Sequence, residues 1–167
     1  MADRNEPLSQ VKARRDTALQ ALVEGMPYAA WLGVRFDRRG DELTAVLPFS
    51  EKLIGNPALP ALHGGVTAAF LEIAGLVELT WASMWDDMES GRFVPDATLP
   101  GTAARLAKTI DFSVDYLRSG LPRDSYARAR VVRLGRRYSS VQVEAWQDNR
   151  GRPFAQANGH FLMPQGG

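Results

Sequence analysis

The stretch Leu62-His-Gly-Gly-Val-Thr-Ala-Ala-Phe-Leu-Glu-Ile-Ala-Gly75 decides how this chain is read, because it sets a His-Gly-Gly turn at the mouth of an almost wholly apolar segment. A helix that opens on glycines offers unpaired backbone N–H groups, and the positive end of its dipole, to an oxyanion or a phosphate. Inside the same segment stands one carboxylate, Glu72. Burying a charge costs several kcal/mol unless a partner or a function offsets it, so donors for an oxyanion beside an isolated acid point to acyl chemistry.

Working outward, the apolar run from Val66 to Met84 reads as one long buried helix; its two carboxylates, Glu72 and Glu78, argue against a membrane span. Upstream, Glu51 to Leu62 is a loop rich in proline and glycine. Leu32–Phe36 and Leu43–Phe49 alternate as strands, and Arg39-Gly40-Asp41 between them reads as a hairpin turn. Apolar positions at helical spacing predict an amphipathic N-terminal helix over Ser9–Glu24.

Downstream, Asp86–Gly101 reads as a polar connection, and four strands follow: Ala107–Leu117, Ser125–Leu134, Tyr138–Gln147 and Phe154–Met163. In the first of them strict alternation puts Ile110, Phe112, Val114 and Tyr116 on one face, with Thr109, Asp111, Ser113 and Asp115 on the other. In the last, Ala155, Ala157 and Gly159 make a face small enough for a helix to lie close. No repeated strand-helix-strand unit demands a parallel sheet. The expected fold is α+β, a curved antiparallel sheet around one long central helix, with an extra N-terminal helix over residues 1–26 and the main domain over 27–164.

Composition narrows the function. With 20 basic against 19 acidic residues, a net charge of +1 gives no electrostatic case for nucleic acid. The absence of cysteine removes thiolate metal sites and a cysteine nucleophile, and two histidines, His63 and His160, are too few for a histidine-rich metal site. The N-terminus has no apolar signal region, which makes cytoplasm the expected location, without a membrane partner.

The element order, Asn56-Pro57 before His63-Gly64-Gly65, and an acid nine residues after the histidine resemble the hotdog-fold thioesterases, most of all the phenylacetate-pathway and hydroxybenzoyl-CoA branch. The resemblance spans roughly residues 27 to 163. It implies hydrolysis of an acyl-CoA thioester with no separate cofactor, coenzyme A being part of the substrate. It assigns the thioester carbonyl to the N–H of Gly64, with Gly65 beside it, and makes Glu72 nucleophile or general base. It also implies that Asn56 and Thr109 orient water or carbonyl, and that Arg118, Arg133, Arg136 and Arg137 meet the phosphates; for His63 the plain reading is a residue that hydrogen-bonds the loop and fixes the helix entry, and the catalytic one is direct proton transfer. Other readings on the same fold are a non-catalytic acyl-CoA-binding protein and a hydratase or dehydratase.

Gly64 and Glu72 lie eight residues apart, about 12 Å along a helix, so one thioester cannot touch both in a single chain. A homodimer with antiparallel helices, and two shared sites, is therefore required by the enzymatic reading. A homotetramer is compatible with it. For Glu78 the plain reading is a solvated or interface residue, and for His160 a satisfied core or edge histidine.

Overall fold

The computed structural model describes residues 7–92 and 105–164. Its elements run α1 (Leu8–Glu24), α2 (Pro27–Leu32), β1 (Arg35–Arg39), β2 (Glu42–Leu47), a 3-10 turn at Glu51–Leu53, α3 (Gly64–Glu89), β3 (Lys108–Tyr116), β4 (Ser125–Arg133), β5 (Tyr138–Trp146) and β6 (Ala155–Leu162). The six strands form one antiparallel sheet in the order β1-β2-β4-β5-β6-β3, packed on α3. The expected hotdog arrangement is present.

The sheet's inner face follows from period-two burial. Leu43, Ala45 and Leu47 of β2, Ala127 of β4, Val141, Val143 and Ala145 of β5, and Ala155, Ala157 and Phe161 of β6 are all buried with Phe70, Leu71, Ala74, Val77 and Met84 of α3 in one core. Length and composition alone would let α3 cross a membrane, but more than half of its apolar window is buried in this core. Ala18, Leu19 and Leu22 of α1 join the same core. At its far end Arg15 grips Glu89 through two hydrogen bonds of 3.0 and 3.2 Å and lies 4.5 Å over the Trp85 ring.

Four expectations change. Leu32–Phe36 is not one strand: Pro27–Leu32 forms the short helix α2, stopped by Gly33 at φ 82°, and the strand begins at Arg35. Proline at the first helical position and a left-handed glycine just past the last are the start and stop signals that mark it. The polar connection begins later than Asp86, because α3 continues to Glu89, its last turn held by Arg15 on Glu89 and by Arg92 and Arg105 on Asp87. The rest of that connection, 93–101, lies outside the described residues.

The small face of β6 changes in part: Ala155 and Ala157 lie in the core with α3, but side chains rather than the helix cover Gly159. The space over Gly159 is filled by the rings of Phe161 and Phe112, which an added Cβ would meet at 2.7 and 2.8 Å. The close approach of helix to sheet is at Gly75, whose Cβ position lies 3.0 Å from Val141.

The fourth change concerns β3. Its register against β6 shifts between Thr109 and Asp111, so Ile110 is the extra residue of a bulge and stands 51% exposed. Thr109 pairs with the buried Phe161, while Phe112, Val114 and Tyr116 pair with Gly159, Ala157 and Ala155. Directly opposed residues share a face, so Thr109 belongs to the inner face with Phe112, Val114 and Tyr116. One inserted residue moves it across the sheet.

The β4–β5 turn is built around Gly135, whose N–H donates to Ser139 Oγ at 3.0 Å. A Cβ there would stand 2.2 Å from the backbone oxygen of Tyr138. Backbone cannot yield as a side chain can, so Gly135→Ala is expected to cost about 1–3 kcal/mol or more. Thermal unfolding should show the melting temperature fall by several degrees; an unchanged value would mean that the turn rearranges freely.

Candidate active site at the entrance of the central helix

The chain that leads into α3 is pinned from both sides. The N–H of His63 donates to the Leu53 carbonyl at 2.9 Å, that of Leu62 donates to Gly120 at 2.8 Å, and Ile54 bridges Leu62. His63 is the N-cap: its Nδ1 accepts from the Gly65 N–H at 2.9 Å, so the imidazole proton is assigned to Nε2. This gives His63 a structural task. It also occupies Gly65, whose N–H is turned into the cap rather than toward a substrate.

Among the described residues the N–H groups of Gly64 and Val66 have no acceptor. Above Gly64 lies the ring of Tyr116, whose hydroxyl donates to the Gly64 carbonyl at 2.8 Å. Tyr116, 55% exposed, belongs to an open cavity of 390 Å³ lined also by Leu62, Thr67 and Arg118. Sequence reasoning gave Tyr116 only a place in the alternation of β3. Nothing local signals its contact with a residue 52 positions earlier.

Glu72 is half-buried on the outward side of α3, along with Ala69 and Leu76, and has no hydrogen-bond or ion-pair partner among the described residues. The structure thus keeps Gly64 and Glu72 on one helix, separated by two turns. Asn56 is exposed and engaged locally: its Oδ1 accepts from the Ala58 N–H at 3.0 Å in an Asx turn. Thr109 reaches the inner face through the bulge described above.

The arginines fall into two groups. Arg118 follows β3 at the α3 entrance, whereas Arg133, Arg136 and Arg137 surround the β4–β5 turn. Ala145, Ala155 and Tyr116 stand in register at the entrance end of the sheet, and Tyr138 seven residues earlier on β5 marks the other end. At about 3.3 Å per residue, roughly 23 Å separate the two groups. His160 lies on the outer face of β6, between β5 and β3 rather than at an edge, 3.0 Å from Asp111 and stacked on Tyr138.

The strongly perturbed acid is Glu78, which is not the solvated group of the first of its two readings. Burial pushes its carboxyl up to about 7, against the pull of the Arg128 guanidinium. The folded state therefore holds a proton that the unfolded chain has released, so this group's cost is absent below about 4.5, grows as pH rises, and is complete above about 7. Glu78→Gln removes that cost. Its melting temperature should exceed the parent's at pH 8 and match it at pH 4; a gain equal at both would contradict the assignment.

Residues 59–154 match the thioesterase superfamily. The medium/long-chain acyl-CoA thioesterase YigI of Escherichia coli K12 is 33% identical over 138 residues, covering 77% of this chain and 84% of YigI. The Salmonella typhimurium protein of the same name is 32% identical over the same length. Among solved structures, one from Chromobacterium violaceum is 31% identical with a TM-score of 0.60, covering 93% of this chain and 97% of its own. A Shewanella oneidensis protein related to the thioesterase superfamily is 26% identical with a TM-score of 0.69, covering 95% and 99%. Fold, helix entrance and sequence agree: the chain belongs to the thioesterase superfamily.

Proposed function

We propose that the protein hydrolyses acyl-CoA thioesters as a homodimer with two shared sites. The observation that carries this reading is the acceptor-free N–H of Gly64, held at the N-terminus of α3 beside a cavity. Negative charge grows on the thioester oxygen as water adds, and a donor fixed in advance stabilises it without reorganisation; one such donor is worth about 3–4 kcal/mol. Glycine at this position lets the carbonyl approach the backbone. Water gives a proton to a carboxylate, its oxygen bonds to the carbonyl carbon, and the tetrahedral intermediate expels the coenzyme A thiolate, which takes that proton up.

The carboxylate for this step, as general base or nucleophile, is Glu72 of the partner subunit. Two features support the pairing. β3 is an edge strand whose outer backbone has no partner among the described residues, and Glu72 looks outward from α3 between Ala69 and Leu76. Antiparallel pairing of two β3 edges sets the start of the partner's strand beside the end of this one, where Tyr116 lies on Gly64. The homodimer is thus part of the site.

The name of the E. coli relative makes medium and long acyl chains the first substrates to try. Thiol trapping with a panel of alkyl- and aryl-CoA thioesters tests the proposal. Release of coenzyme A that saturates with substrate is expected; saturable binding without release would instead make the protein an acyl-CoA carrier.

A further inference from the structure

The 390 Å³ cavity at the α3 entrance continues into a second one of 250 Å³, between the β3–β4 connection and the β5–β6 turn. Arg118, Ser119 and Phe154 line both, and Arg152 and Asp148 line the second alone. Its walls are fixed. The N–H groups of Leu117 and Arg118 both donate to the Phe154 carbonyl, and the Gln147 side chain ties Leu121 to Ser125, accepting from the Leu121 N–H at 2.9 Å and donating to Ser125 Oγ at 3.1 Å.

Charge gives this cavity its character. The carboxylate of Asp148 is held through both oxygens by Arg123, at 2.8 and 2.7 Å, which neutralises it. Neither Arg118 nor Arg152 has a carboxylate partner among the described residues. Two uncompensated guanidiniums on opposite loops of a rigid, open cavity suit a phosphate, which accepts from several N–H donors at once.

We propose that Arg118 and Arg152 form a phosphate-binding site, and that its ligand is the phosphate-bearing end of the coenzyme A whose thioester lies at Gly64 of the same chain. This rests on the hydrolytic reading for the identity of the ligand. It selects Arg118 from the sequence candidates, adds Arg152, and gives the recognition of phosphate to the chain that supplies Gly64. The hairpin arginines of the same chain stand roughly 23 Å away along β5.

Calorimetric titration of the full chain with coenzyme A and with pantetheine, which lacks the phosphates, tests the site. Wild-type protein should bind coenzyme A more tightly than pantetheine, and more weakly as salt rises. In Arg118→Ala/Arg152→Ala that preference should disappear, coenzyme A binding about 10-fold to 100-fold more weakly. Arg118→Lys/Arg152→Lys should regain part of it. Dephospho-coenzyme A separates the diphosphate from the 3′-phosphate: equal loss for both ligands assigns the diphosphate, loss for coenzyme A alone the 3′-phosphate. Unchanged coenzyme A affinity in the alanine pair overturns the site, as does a wild-type protein indifferent to the phosphates. The two proposals fail separately. Binding lost in the variant by a protein that releases no thiol keeps the phosphate site and removes hydrolysis, whereas turnover with unchanged affinity in the variant does the reverse.

Discussion

Glu72→Ala is expected to lower kcat for acyl-CoA hydrolysis by about 10²-fold to 10⁴-fold, the usual contribution of a positioned acid or base, while KM changes little. The side chain is half-buried on the outward side of α3 and satisfies no neighbour among the described residues, so its removal strands no hydrogen-bond partner. Alanine also favours the helix. The variant should therefore fold and dimerise like the parent, which circular dichroism and gel filtration check independently of activity. Thiol release at the parental rate would make Glu72 a structural acid and leave hydrolysis without its base. Single turnover in ¹⁸O-labelled water adds a further distinction: label in Glu72 itself marks a nucleophile.

The assignment of Glu72 and the pKa of Glu78 illustrate two kinds of information. Glu72 was singled out as a candidate from spacing, because a carboxylate nine residues after a helix-opening histidine is a statement about the chain. The elevated carboxyl is a statement about its surroundings: Glu78 lies only six residues further on, and its sequence context is just as apolar. Which of two acids on one helix is desolvated depends on elements brought from far along the chain, and periodicity cannot supply that.

The fold was readable for the same reason that it is stable. Periods of two and of 3.6 residues record which face of each element is buried, and β2 to β6 and α3 carry those periods plainly. Local irregularity was less readable. The bulge at Ile110 inserts one residue in an apolar alternation, so strict counting sent Thr109 outward although it lies inward. The short helix α2 carried the proline and glycine signals of its two ends, yet only its last residue, Leu32, was assigned, and to a strand. Around the α3 entrance, the spacing of His63, Gly64 and Gly65 was visible while their division of labour was not. That division depends on the His63 ring closing on the Gly65 N–H, which leaves Gly64 as the free donor. Tyr116 and Arg152 reach the site through β-sheet register and loop packing, neither of which leaves a motif.

A shared site has a consequence that no single-chain arrangement reproduces. Gly64→Ala should be inactive, since its methyl crowds the approach of the thioester; the Cβ meets Tyr116 at an ordinary 3.5 Å, so the helix entrance tolerates it. Glu72→Ala should also be inactive. Mixed and allowed to exchange subunits, the two dead proteins should recover about one quarter of wild-type activity. The arithmetic follows from symmetry. Half of the dimers formed at random are hybrids, and each hybrid joins the intact Gly64 of one chain to the intact Glu72 of the other at one of its two sites. The other site combines both defects. If Gly64 and Glu72 acted within one chain, every site in the hybrid would carry one defect, and mixing would restore nothing. Recovery near one quarter, in protein shown by mass spectrometry to contain hybrids, therefore assigns the oxyanion donor and the acid to different subunits; hybrids without recovery would disprove it.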